Sequence, residues 1–125
     1  MFKQYNSNPT GKHTNDCTVR AISTVLGRSW RAIFTGLSEI GYELYDMPSS
    51  NAIWGTFMRR EGYTRKIIPT TCPDCYTISD FCADHPFGTY LLATGTHVVA
   101  VIDGDYYDTW DSGYEIPVYY WTKEN

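Results

Sequence analysis

The sequence predicts an α+β domain in which N-terminal helices pack on a C-terminal antiparallel β-sheet. Apolar residues recur at helix spacing through the first half of the chain. From Thr89 onward the pattern becomes short runs rich in Val, Ile, Tyr and Trp. Between two of these runs stands Asp103-Gly104, a dipeptide that favours a two-residue hairpin turn. At 125 residues the chain is read as a single domain, residues 1–125, long enough to bury a core without disulfide or metal staples.

Each element has a local cause. Residues 2–5 have the character of a short strand, and the Pro, Gly, Asn and Ser between Asn6 and Thr14 mark a loop. Asn15 and Asp16 are suitable N-caps for a helix from Asp16 to Leu26, where Val19, Ile22, Val25 and Leu26 form the apolar stripe and Gly27 the stop. Ser29 caps a second helix with Trp30, Ile33, Phe34, Leu37, Ile40 and Leu44 on one face. After the break at Met47-Pro48-Ser49-Ser50, a third helix carries Ile53, Trp54, Phe57 and Met58 and ends near Gly62. Thr64 to Pro69 is a strand candidate and Thr77–Ala83 a short helix, capped by Thr77 or Ser79. The predicted sheet consists of Thr89–Thr94, His97–Ile102, Tyr106–Trp110 and Ile116–Trp121, the last as an outer strand.

Composition narrows the function classes. The chain is 42% hydrophobic and 19% charged, the balance of an ordinary globule. A net charge of −4 without a basic run argues against nucleic acid as a partner. No apolar stretch approaches the roughly 20 residues that span a bilayer, and the N-terminal residues carry no signal-peptide core. The expectation is a cytoplasmic protein with no membrane partner. Its four cysteines are then read as thiols or metal ligands rather than disulfides.

One cysteine stands out by position. Cys17 falls in the first turn of the first helix, where unpaired N–H groups and the helix dipole favour a thiolate. Across a two-residue turn at Asp103-Gly104, Ile102 pairs with Asp105. Alternation then sets His97, Val99 and Val101 on the same face as Tyr106, Asp108 and Trp110. Asp108 lies diagonal to His97, within reach of its imidazole, whereas a three-residue loop would present Asp111 instead. Cysteine, histidine and carboxylate are the set that thiol acyl transfer requires: nucleophile, general base and acid, and orienting group. The oxyanion needs two donors. The Cys17 backbone N–H is one. For the other, Gln4, Asn6, Asn8 and Asn15 are available, with Asn8 or Asn6 favoured because they are far enough upstream to fold over the site. Arg20 is read as an ion-pair partner of Asp16 at i−4.

The order Cys17, His97, Asp108 resembles the papain-like cysteine peptidase fold, in a minimal form similar to the peptidase domains of bacteriocin-processing transporters. The string Asn-Pro-x-Gly…Asp-Cys-x-Val-Arg-Ala-Ile (Asn8 to Ile22) also resembles small proteins of bacteria and their phages. So does Gly-x-Tyr…His-Val-Val-Ala-Val-x-Asp-Gly…Tyr-Asp-x-Trp-Asp-Ser (Gly88 to Ser112). The resemblance implies a cysteine peptidase, or a related amide or isopeptide hydrolase, with a protein or peptide substrate, no cofactor, and a phage or prophage origin. A different class is also open: a catalytically inactive papain-like module that binds a host protein.

A second constellation points elsewhere. Cys72, Cys75, Cys82 and His85 read as C-x2-C-x6-C-x2-H, two close pairs of ligands that suit tetrahedral zinc. Against it, Cys82 falls within a short helix where it can face the core, and His85-Pro86 reads as a turn. Zinc is therefore the alternative, not the favoured assignment.

Overall fold

The computed structural model describes residues 1–69 and 75–123. Four helices and six strands follow in the order β1 (Phe2–Gln4), α1 (Cys17–Leu26), α2 (Trp30–Leu44), α3 (Asn51–Arg60), β2 (Thr64–Ile67), α4 (Ile78–Asp84), β3 (Thr89–Ala93), β4 (Val98–Ile102), β5 (Asp105–Asp108) and β6 (Tyr119–Thr122). The α+β class and the helix pattern agree with the sequence. Gly27 ends α1 in the left-handed conformation, Ser29 Oγ accepts the Ala32 N–H, and Thr77 and Asp80 form a reciprocal capping box on α4.

The sheet differs from the expected one in three ways. It has six strands in the order β1-β5-β4-β3-β6-β2. It is mixed rather than antiparallel throughout, because β1 pairs in parallel with β5. The aromatic strand β6 is interior, flanked by β3 and β2, so the outer position falls to β2. The reason is burial: Trp121 is 2% exposed, a state that an apolar ring reaches only when both neighbouring strands and a helix layer cover it. Periodicity within a strand carries no information about its neighbours.

The Asp103-Gly104 turn has the expected form. Both residues have positive φ, +50° and +80°, as a type I′ hairpin requires. Ile102 pairs with Asp105, Val101 with Tyr106 and Ala100 with Tyr107. Asp103 also ties the turn to the start of β3, accepting the Gly88 N–H on Oδ1 at 2.9 Å.

Alternation along the strands divides the core. Leu91, Ala93, Val98, Ala100 and Trp121 face α1, α2 and α3 and pack with Ile22, Ile33, Leu37, Ile53, Trp54 and Met58. Leu92, Val99, Val101 and Tyr106 face the other side and pack with Ile78, Phe81 and Cys82 of α4. Helices thus cover both faces, the N-terminal ones on one and α4 on the other. Each fully buried aliphatic side chain here contributes about 1.5–3 kcal/mol.

β5 stops at Asp108, two residues short of the expected Trp110. The Asp108 carboxylate accepts the next backbone N–H, that of Thr109, and this turns the chain out of the sheet. The segment that follows is anchored from below. The Ile78 and Ser79 N–H groups at the start of α4 donate to the carbonyls of Glu115 and Gly113, both at 2.9 Å. Gly113 must be glycine here, since a Cβ would stand 2.2 Å from the Tyr106 hydroxyl and 2.5 Å from Ser79 Oγ.

Candidate active site

Cys17 is the first residue of α1, and α1 packs across β3, β4 and β5. His97 immediately precedes β4 and Asp108 ends β5, so both lie at the same end of the hairpin. Strict alternation would assign them to the α4 face with Val99 and Tyr106. Both stand at strand ends, where Asp108 Oδ1 still comes within 3.8 Å of Arg20 of α1. The α1 N-terminus reaches this rim, and three residues far apart in sequence meet there.

His97 Nε2–H donates to Asp108 Oδ2 at 2.6 Å. The imidazole also adjoins Cys17, whose thiol it lowers. The imidazole is nearly enclosed, with 11% of its side chain exposed and the Trp110 ring centred 5.2 Å away. Asp108 is buried and receives three donors: His97 and Ser112 Oγ on Oδ2, the latter at 2.6 Å, and Thr109 N–H on Oδ1 at 2.8 Å. Asp111, the alternative orienting group, is bonded instead to the Tyr106 hydroxyl and the Gly113 N–H.

These contacts set the charges. Burial raises the Cys17 thiol, but the His97 imidazole, the Val98 N–H and the Thr18 hydroxyl together outweigh it, and the thiol lies below its ordinary 9.0. Burial also pulls His97 down, yet its bonds to Asp108 and Cys17 and their charges carry it up to about 9. For Asp108, burial is overcome by His97, Ser112 and the Thr109 N–H, which hold the carboxyl below 3.8. All three directions favour a thiolate–imidazolium pair beside a carboxylate.

A polar network backs these three residues. Asp16 occupies the N-cap position of α1 but its carboxylate caps nothing. It pairs with Arg20, as expected from the i,i+4 spacing, and accepts Trp30 Nε1–H at 2.9 Å and Asn8 Nδ2–H at 3.3 Å. Arg20 also stands 3.8 Å from Asp108 Oδ1, so one guanidinium links the helix start to the Asp108 carboxylate. Sequence reading did not assign Ser112, Trp30 or the second contact of Arg20. The one available signal for Ser112 was its place four residues after Asp108.

An open cleft of about 760 Å³ leads to the triad, lined by His13, Thr14, Asn15, Cys17, Arg20, Thr96, His97, Thr109 and Trp110. The two favoured oxyanion residues are elsewhere. Asn8 donates to Asp16 and accepts from Thr10, while Asn6 accepts the Asn8 N–H and reaches the Lys12 carbonyl. Both amides serve the loop instead of the cleft, because each lies where an Asx-type bond to the following backbone is available.

The proposed zinc set is not assembled among the described residues, and Cys72 lies outside them. Cys75 is in a disulfide, contrary to the expectation of thiols. Cys82 is packed in the α4 core, where burial pushes its thiol up to about 11. The His85 ring stacks on Phe81 at 3.8 Å and donates Nδ1–H to the Phe81 carbonyl. No cluster of three or more His, Cys, Asp or Glu able to hold a metal occurs among the described residues. Nor is any described helix long and apolar enough to cross a membrane.

A scan against protein-family models matches none, and searches of curated proteins and of solved structures return no match to this chain.

Proposed function

We propose that this chain is a papain-like cysteine hydrolase that cleaves an amide, isopeptide or related acyl bond in a protein or peptide. The observation that carries this reading is the contact of Cys17 with His97, itself bonded to Asp108, at the floor of an open cleft. Cys17 is the nucleophile, His97 the base and acid, and Asp108 the group that holds the imidazole. The thiolate attacks the carbonyl carbon, the imidazolium protonates the leaving amine, and water then hydrolyses the thioester. The fold assignment rests on the same juxtaposition: a helix-initial cysteine against the end of an antiparallel hairpin that carries histidine and aspartate.

Selective alkylation tests the reading. At pH 7 a thiol like that of Cys82, pushed up to about 11, is about one part in ten thousand thiolate, so it serves as an internal reference. Iodoacetamide should modify Cys17 at least a hundredfold faster than Cys82, and cleavage of a peptide library by the protein should vanish in Cys17→Ala. Equal, slow labelling of both cysteines would remove the hydrolase and leave a binding module with the same fold.

A further inference from the structure

Thiol acyl transfer places a full negative charge on the substrate oxygen, and that oxygen needs donors already aimed at it. We propose that the side-chain amide of Asn15 is the second oxyanion donor, acting beside the backbone N–H of Cys17; this rests on the hydrolase reading above.

Four observations carry it. Asn15 lines the cleft together with Cys17 and His97, which Asn8 and Asn6 do not. The Asp16 N–H bonds back to the Thr14 carbonyl at 2.8 Å, closing a three-residue turn with Asn15 at its apex, one residue removed from the nucleophile. Its side-chain amide has no hydrogen-bond partner among the described residues, whereas the amides of Asn8 and Asn6 are consumed in their loop. Finally, Asp16 is drawn away from capping by Arg20, Trp30 and Asn8, so its carboxylate does not compete for the first-turn N–H groups. Arg20, another polar group of the cleft, is held by Asp16 and the Thr14 carbonyl. Thr96 and Thr109 are the chain neighbours of His97 and Asp108.

Two reagents separate this role from a structural one. Iodoacetamide reacts with the thiolate by displacement of iodide, with no oxyanion. p-Nitrophenyl acetate reacts through one: the Sγ–C bond forms as the C=O electron pair moves onto oxygen, and collapse expels p-nitrophenolate to leave acetyl-Cys17. In Asn15→Ala the acetylation rate should fall tenfold or more while the alkylation rate stays within about twofold. Alanine fits the site, since Asn15 is not among the residues with positive φ. Asn15→Gln, which keeps the donor, should recover part of the loss. Asn8→Ala, which loosens a loop contact to Asp16, should leave the ratio of the two rates unchanged. An unchanged ratio in Asn15→Ala, or a larger fall in Asn8→Ala than in Asn15→Ala, would overturn the assignment while leaving the nucleophile in place. Failure of the unmutated chain to be acetylated at Cys17 would remove the hydrolase reading and this donor with it.

Discussion

Replacing Asp108 by Asn changes one atom and should dismantle the charge arrangement at Cys17. The carboxylate accepts from three donors, His97 Nε2–H, Ser112 Oγ–H and Thr109 N–H. An amide offers one oxygen and one NH2, so one orientation sets NH2 against the Thr109 N–H and the other against His97. The His97 rise from 6.5 to about 9 corresponds to about 3 kcal/mol of preference for the imidazolium, and after burial the hydrogen bond to Asp108 is the largest influence on it. Without that carboxylate, only Cys17 still opposes the effect of burial, and the imidazolium is weakened. Cys17 then loses much of the support of its cationic partner, and its thiol moves back up. The assay is the second-order rate of iodoacetamide modification of Cys17 from pH 5 to 10, with thermal melting to show that the variant is folded. The parent chain should react at neutral pH and change slope near 9 as His97 loses its proton. Asp108→Asn should be at least tenfold slower at pH 7 and rise only as the pH approaches 9. A folded variant with the parent profile would refute the idea that Asp108 controls the imidazole.

Three further outcomes follow from the same contacts. Gly113→Ala forces a Cβ onto the Tyr106 and Ser79 hydroxyls, and should cost about 1–3 kcal/mol in urea unfolding while slowing Cys17 alkylation, because the displaced segment carries Ser112 away from Asp108. Arg20→Gln strands the buried Asp16 carboxylate and should destabilise the fold by about 3 kcal/mol by the same measurement; a loss under 1 kcal/mol would show that Trp30 and Asn8 suffice. Asp108, depressed below 3.8 in the folded chain, contributes stability that is in place above that value and is lost as pH falls through its lower folded value. The melting temperature of the parent chain should therefore fall more steeply below pH 4 than that of Asp108→Asn.

How much of this was legible before folding depends on the range of the interaction. The helices, the Asp103-Gly104 turn and the Ile102–Asp105 register rest on spacing, caps and turn chemistry, all local, and the sequence determined them by itself. The same register singled out Asp108 over Asp111. It did so without predicting where β5 ends, since that depends on the Thr109 N–H turning back to the Asp108 carboxylate. The roles of the asparagines were illegible for a related reason. Asn6, Asn8 and Asn15 are chemically alike, and only the packed loop shows that two of them are spent on neighbours while the third faces the cleft. Strand order, the parallel pairing of β1 and the interior place of β6 likewise came from tertiary structure alone. A strand's own pattern tells which side is buried, whereas its neighbours are chosen by the whole sheet's need to cover Trp121 and close around α1. The sequence thus determined the parts of the site, and the meeting of Cys17 with His97 and Asp108 was decided by the packing of α1 across the sheet.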